Sequence, residues 1–347
     1  MADRDLSSIS SALSNLIAGP VVSQINRAVV LAQILGVKPA DNKTVTWDVK
    51  LGTATPTTAP ISDGADVSTY NADTKIPAVL NYAEYHDAFA LTGRALAAAA
   101  ASGRPEDLAN LFLEEMQDSV ERLSSAIGYD VYNGDGTTDH IHGLFAASPA
   151  AIGDTGIYAS INRATYSQWK GNVVDAAGAP LTFELIRDLR RKIYAASGEK
   201  PDLFITDPVQ HERLGILFGA NRRYVDQVRR ADGQVIKLDG GYMVLEFDGI
   251  SVVEDQQHPA QKFTALNTKR VMLRQLMEVQ SEVTGSLGSF QLGGTPEEQL
   301  GVGKIKMAAF LHKLAKNGNK HKFALYVMPQ LQVTRPNACG YITSLLA

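Results

Sequence analysis

The 347 residues suffice for two or three domains, or for one core carrying long excursions, because single cores stop growing near ~250–300 residues. A hydrophobic fraction of 45% with 20% charge excludes global disorder, and a formal charge of −4 excludes a protein whose whole surface grips nucleic acid, which needs a basic face. The single cysteine, Cys339, excludes an internal disulfide and any cysteine-only metal cluster, and reads as a small buried apolar residue.

In chain order, the first forty residues read as a polar arm with apolar anchors such as Leu13, Ile17 and Val29, carrying one short helix that ends near Gly36. The start mixes acids and bases and lacks the basic-then-apolar layout of a secretory signal. With no run of about 18 apolar residues anywhere, the sequence predicts a soluble chain made in the cytoplasm, with no membrane partner. TVTWDVKLG, from Thr44, alternates Val45, Trp47 and Val49 with polar residues at the period of a half-buried strand. A Thr/Pro/Ala/Asp/Gly-rich segment follows, and IPAVLNYAEYHDAFAL returns as extended chain. Two β-like arms around a polar tip of about twenty residues make a projecting hairpin, because long structureless loops inside a compact domain are uncommon and usually functional.

Pro105 opens the clearest helix, with Glu106 and Asp107 where the helix dipole favours acids. Leu108, Phe112, Met116, Val120, Leu123, Ile127 and Val131 recur at steps of three or four, a narrow stripe that leaves Glu114, Glu115 and Asp118 outside. NGDGTTDHIHG breaks that helix after Asn133. Thr182 then caps a second one, FELIRDLRRKIYAAS, closed by Gly198. Downstream, DLFIT, QVIKL, YMVLEF, ISVVE, FTALN and VMLRQL read as strands, with turns at Asp239-Gly240-Gly241 and Asp248-Gly249; ALYVMPQLQVTRPNACGYITSLLA ends as strand, break, strand. The fold class is α+β.

Chemistry-bearing motifs are few. Asp207, ending DLFIT, lies four residues before His211, a pairing that could be catalytic; but Asp-Pro at a helix start is also what capping needs, and no nucleophile stands at a completing spacing. His140 and His142 share a face if extended, yet lack a third metal ligand. The loop from Asn133 has Thr138 where a calcium loop needs glycine and Leu144 where it needs glutamate. GVGKIK, from Gly301, has Glu298 and Ile305 where a phosphate loop needs Gly and Ser/Thr. The sequence assigns no catalytic residue, no cofactor site and no metal ligand. Basic clusters between Arg187 and Arg230, and the lysines from Lys304 to Lys322, read as solvated faces or as partners for acids of a neighbouring subunit.

What remains is an arm, a projecting hairpin, a one-sided rod helix and an α+β middle, surfaces that suit a subunit interlocking with copies of itself. The order of PEDLANLFLEEMQDSVERLSSAIG, GDGTTDHIHGLFAA, LIRDLRRKIYAASGEKPDLFITDP, FDGISVVEDQQHP, KFTALNTKRVMLRQL and VTRPNACGYITS resembles the major capsid proteins of tailed bacteriophages, the Hong Kong 97-like capsid fold. That resemblance implies an N-terminal arm over 1–43, an extended loop over 44–92, a peripheral domain with the spine helix over 93–135 and 277–326, and an axial domain over 136–276 and 327–347. It implies hexamers and pentamers of this chain forming an icosahedral head in the virion, assembled in host cytoplasm around double-stranded DNA held by non-specific contact. A portal, a separate scaffolding protein and a decoration protein are the implied partners. Lys75 lies at the base of the loop, but no matching asparagine and glutamate can be named, so welding by isopeptide bonds is not expected. Two other readings stay open: an encapsulin-type compartment shell on the same fold and, remotely, a cytosolic hydrolase using Asp207 and His211.

Overall fold

The computed structural model describes residues 30–35, 37–40, 42–51, 63, 75–101, 105–137, 139–145, 151–219, 224–225, 227–229, 235–237, 244–276, 290–291, 310–314 and 318–347. Most of the arm, most of the hairpin tip, the Asp239-Gly240-Gly241 turn and GVGKIK fall outside them.

The elements follow the sequence where local chemistry is strong. A short helix, Val30–Leu35, precedes β1 (Val37–Pro39). β2 (Thr44–Lys50) and β3 (Lys75–Asn81) pair antiparallel from Thr44 opposite Asn81 to Lys50 opposite Lys75, the stem of the expected hairpin. β4 (Tyr85–Thr92) turns back into the body, and the alanine-rich stretch after it is a helix, Gly93–Ala101. The long helix runs Pro105–Asn133 and buries its stripe from Phe112 through Met116, Val120, Leu123 and Ile127 to Val131. Its 29 residues at 1.5 Å each make a rod of about 44 Å.

Beyond it lie β5 (Ile157–Tyr158), β6 (Ile161–Asn162) and β7 (Asn172–Asp175). In the helix Phe183–Ser197, the Thr182 hydroxyl accepts the Leu185 N–H at 3.3 Å, and Gly198 closes the other end at φ 72°. β8 (Leu203–Thr206) leads into the helix Pro208–Phe218. Then come β9 (Tyr224–Val225), β10 (Gln227–Arg229), β11 (Val235–Lys237), β12 (Val244–Phe247), β13 (Ile250–Glu254), β14 (Phe263–Leu266) and β15 (Val271–Gln275). The β12–β13 turn has Asp248 and Gly249 both at positive φ, the primed geometry that matches strand twist. β16 (Phe290–Gln291), β17 (Phe310–Lys313), β18 (Lys320–Val327), β19 (Pro329–Val333) and β20 (Gly340–Thr343) complete the chain, so the expected terminal strand, break, strand is three strands, interrupted at Met328 and by a short turn at Pro336–Ala338.

Two sheets organise the molecule. In the larger the strand order is β7-β20-β14-β8-β13-β12-β9. Phe204 of β8 stands beside Val252 of β13 and Ala265 of β14, and all three join one apolar cluster with Ile186, Leu189 and Ile193 of the Phe183 helix and Leu214 of the Pro208 helix. Leu203 and Ile205, pointing the other way, join the main core. Both helices therefore cover one face, and the body of the protein covers the other. In the smaller sheet, β16-β17-β18-β4, the eight residues of β4 pair with β18 from Thr92 opposite Lys320 to Tyr85 opposite Val327. The long helix lies on β4, fastened by Phe89, Phe112 and Phe323, whose ring centroids are 5.1–5.4 Å apart.

Candidate functional site

Asp207 and His211 do come together, at the end of β8 and the start of the Pro208 helix. Asp207 has the extended backbone of a cap residue and its carbonyl accepts the His211 N–H at 3.0 Å. The expected cap is only partial: Oδ1 is buried without a partner and no capping hydrogen bond of good geometry forms, while the Val209 and Gln210 N–H groups at the helix start still favour the charged carboxylate. Proline at the first helical position supplies the start instead, by its preset φ and missing N–H. Burial pushes the Asp207 carboxyl up and the His211 imidazole down, with Glu254 opposing the latter from 3.4 Å. A buried acid, a neutral imidazole and Glu254 offer no nucleophile, so the arrangement is a joint between strand and helix.

His140 and His142 have separate partners and, among the described residues, share no metal site. His142 bridges to Asp135, and its N–H is taken by the Gln330 side chain at 3.0 Å. His140 Nδ1 lies 2.7 Å from Asp130 of the long helix, and that hydrogen bond raises the imidazole pKa. Asp130 also accepts the Tyr85 hydroxyl at 2.7 Å, while Tyr85 in turn accepts the Ile141 N–H at 3.1 Å. In the failed calcium loop, Asp135 is satisfied locally by the Thr137 N–H and hydroxyl, which hold its carboxyl below the usual range. Among the described residues no group of three His, Cys, Asp or Glu could hold a metal ion.

These contacts frame the root of the hairpin. A cavity of 330 Å³ opens there, lined by Leu80, Asn81, His140, His142, Ile157 and Gln330. Gln330, almost fully buried, is the hub: its oxygen takes the His142 and Leu331 N–H groups, and its amide nitrogen donates to the Asn81 carbonyl. Val79 of β3 donates to the Ala159 carbonyl at 3.1 Å, Ala83 donates to Pro329, and Trp47 of β2 lies 6.5 Å from Trp169, which stacks on Tyr158. The stem leaves the body from a socket held by these contacts. Nothing in the sequence marked Gln330, Trp169 or Asp130 for this; each matters through partners far along the chain.

Several described members of the basic clusters are engaged within the chain. Arg190 holds Asp248 at 2.5 Å, Arg191 holds Asp188 at 2.5 Å, and Arg213 donates to the Leu346 and Ala347 carbonyls. Lys320 and Lys322 lie on β18; Lys304, Lys306 and Lys316 lie outside the described residues. Cys339 is fully buried.

The model of one family, the SU10 major capsid protein, matches residues 19–295. By sequence, the chain has no match among curated proteins. Among solved structures it is similar to the capsid asymmetric unit of cyanophage A-1(L), with a TM-score of 0.66 and 18% identity over 92% of this chain and 93% of that one. The SrpI encapsulin of Synechococcus elongatus PCC 7942 superposes with a TM-score of 0.53 and 10% identity over 91% and 87%. The capsid of a native GTA particle gives 0.51 and 11% over 92% and 89%. At these identities the likeness establishes a shared fold.

Proposed function

The chain belongs to the SU10 major capsid protein family, and on that premise we propose that its copies close into hexamers and pentamers and enclose double-stranded DNA in an icosahedral head. It is a major capsid protein of a tailed phage with the Hong Kong 97-like fold, a structural subunit of the virion and not an enzyme. Family membership carries the reading. Many modest contacts between copies add up once a shell closes, and a closed point group leaves no free edges.

Within that subunit, we assign 1–43 to an arm along a neighbour, 44–92 to an extended loop over the adjacent copy, 93–135 and 277–326 to a peripheral domain, and 136–276 with 327–347 to an axial domain. The β2–β3 stem, rooted at Gln330 and Trp169, supports the loop assignment. The long helix on the β4–β18 sheet supports the peripheral domain, and β20, paired between β7 and β14, supports counting the last residues with the axial sheet. The genome is held by non-specific contact, which a mildly acidic chain with local basic patches allows, since a strongly basic lining would trap DNA. A scaffolding protein, a portal and a decoration protein complete the proposed partners, and assembly takes place in host cytoplasm.

Electron microscopy of the purified protein tests this. Closed icosahedral particles or capsomer rings are expected, and a solitary species at high concentration would overturn the proposal. An encapsulin shares the fold; particles that hold a cargo protein and no DNA would favour that reading instead.

A further inference from the structure

Two helices pack on one face of the seven-stranded sheet, and each leaves a different stripe uncovered. On the Pro208 helix, Val209, Ile216 and Leu217 are 50%, 64% and 43% exposed, with the exposed Glu212 between them. Val209, Glu212 and Ile216 fall at helical spacing and form one ridge, and Leu217, one turn after Arg213, flanks it. Leu346 extends it, because the Leu346 carbonyl is held by Gln210 at 2.8 Å and by Arg213. The ridge is largely apolar, with Glu212 on it and Arg213 turned onto the Leu346 and Ala347 carbonyls, and among the described residues nothing covers it. On the Phe183 helix the uncovered stripe is of opposite character: Arg187, Arg191 and Tyr194, the last 55% exposed with Lys200 5.9 Å from its ring. Arg191 is 80% exposed and its one ion pair is to Asp188, one turn back on the same helix, a contact of small worth in water.

A ring of identical subunits is built from a head-to-tail contact, which needs two different, mutually complementary surfaces on every copy. The two stripes differ in the way that requirement asks, one apolar with an acid and the other basic with an aromatic ring. We infer that the Val209–Glu212–Ile216–Leu217 ridge of one copy docks on the Arg191–Tyr194 stripe of the next, with Glu212 facing Arg191 and the apolar side chains closing over the Tyr194 ring. This deepens the shell reading above and rests on it. Leu217 and Ile216 gain the burial they lack, Tyr194 supplies apolar area with a polar tip, and the charge pair fixes direction and register more than affinity.

The test uses the full chain. Leu217→Cys and Tyr194→Cys are combined in one protein, Cys339 being buried and unavailable. Oxidation of the assembled double variant yields a covalent ladder from dimer upward on a non-reducing gel, while either single variant stays monomeric there. Separately, Glu212→Arg and Arg191→Glu each lower the assembled fraction about tenfold, and their combination restores it, with circular dichroism unchanged because both positions are exposed; tenfold corresponds to about 1.4 kcal/mol. Absence of the ladder from assembled double variant overturns the contact and leaves the shell reading intact, as does cross-linking by the Leu217→Cys variant alone, which would mean like stripes meet. Failure of the unmodified protein to assemble at all overturns the shell reading itself.

Discussion

Tyr132 gives its hydroxyl hydrogen to Asp255 across 2.6 Å with both side chains cut off from water, tying the last turn of the long helix to the end of β13. Burial pushes Asp255 up to about 6 from 3.8, so the stability it contributes is complete below pH 3.8 and lost as pH rises through 6. His258, whose ring meets that of Tyr132 edge-on at 5.2 Å, is pushed down by burial to about 3 from 6.5; its contribution is present above pH 6.5 and lost as pH falls toward 3. Between pH 6 and 4 the two trends oppose each other. His258→Gln keeps a hydrogen-bonding group for Thr264, which His258 Nε2 meets at 2.8 Å, and removes the proton site. The variant is expected to gain about 2 kcal/mol between pH 6 and 4.5 relative to its own value at pH 6, a gain the parent lacks. Denaturant titrations at each pH measure it; parallel profiles would refute the assignment.

The long helix depends on one aromatic anchor. Phe112 presents its ring edge-on to Phe89 at 5.4 Å and to Phe323 at 5.1 Å, between helix and sheet. Phe112→Ala leaves a cavity there and should cost about 3–5 kcal/mol in thermal or denaturant unfolding. Glu114→Ala, on the exposed side of the same helix, should change stability by less than about 0.5 kcal/mol.

How far the sequence spoke depended on how local the physics was. The Phe183 helix was legible to the residue, since Thr182 and Gly198 act within their own turn. The Phe112 to Val131 stripe was equally plain, because one face of a rod must be buried. The β5–β6 hairpin was silent: its turn is Ala159-Ser160, both at positive φ without the Asn-Gly signal, and the buried Tyr158 and Ile161 offset that strain. Gln330 reads as an ordinary strand residue, and only pairing across 188 positions of chain with His142 makes it the socket of the hairpin. Asp207 was placed correctly at a helix start, yet the unpartnered Oδ1 follows from burial, which spacing does not report.

That carboxylate sets up a stability test. Burial raises the Asp207 pKa, so the stability it contributes is complete below 3.8 and lost as pH rises through its folded value. Asn has the same shape and no charge. Asp207→Asn should melt higher than the parent at pH 8 and at the same temperature near pH 3.5, with assembly preserved. A variant that melts lower at pH 8 would mean the charge is paired and the joint has another role.

Cys339 offers a probe of the whole core. It is fully buried between the Pro336 turn and β20, and burial pushes its thiol up to about 12, so at pH 8 almost none is thiolate. Reaction with a maleimide or an aromatic disulfide should therefore follow opening of the structure and be slowed at least about a thousandfold relative to unfolded chain, as expected for a core site whose opening costs several kcal/mol. β20 follows Cys339 directly and binds β7 to β14, so departure of the terminal strand from the seven-stranded sheet would uncover the thiol. Labelling that keeps pace with global unfolding measured by fluorescence would show that this strand belongs to the cooperative core. Fast labelling of a fully folded subunit would show that the segment around Cys339 opens without global unfolding, and would count against a terminal strand integral to the axial sheet.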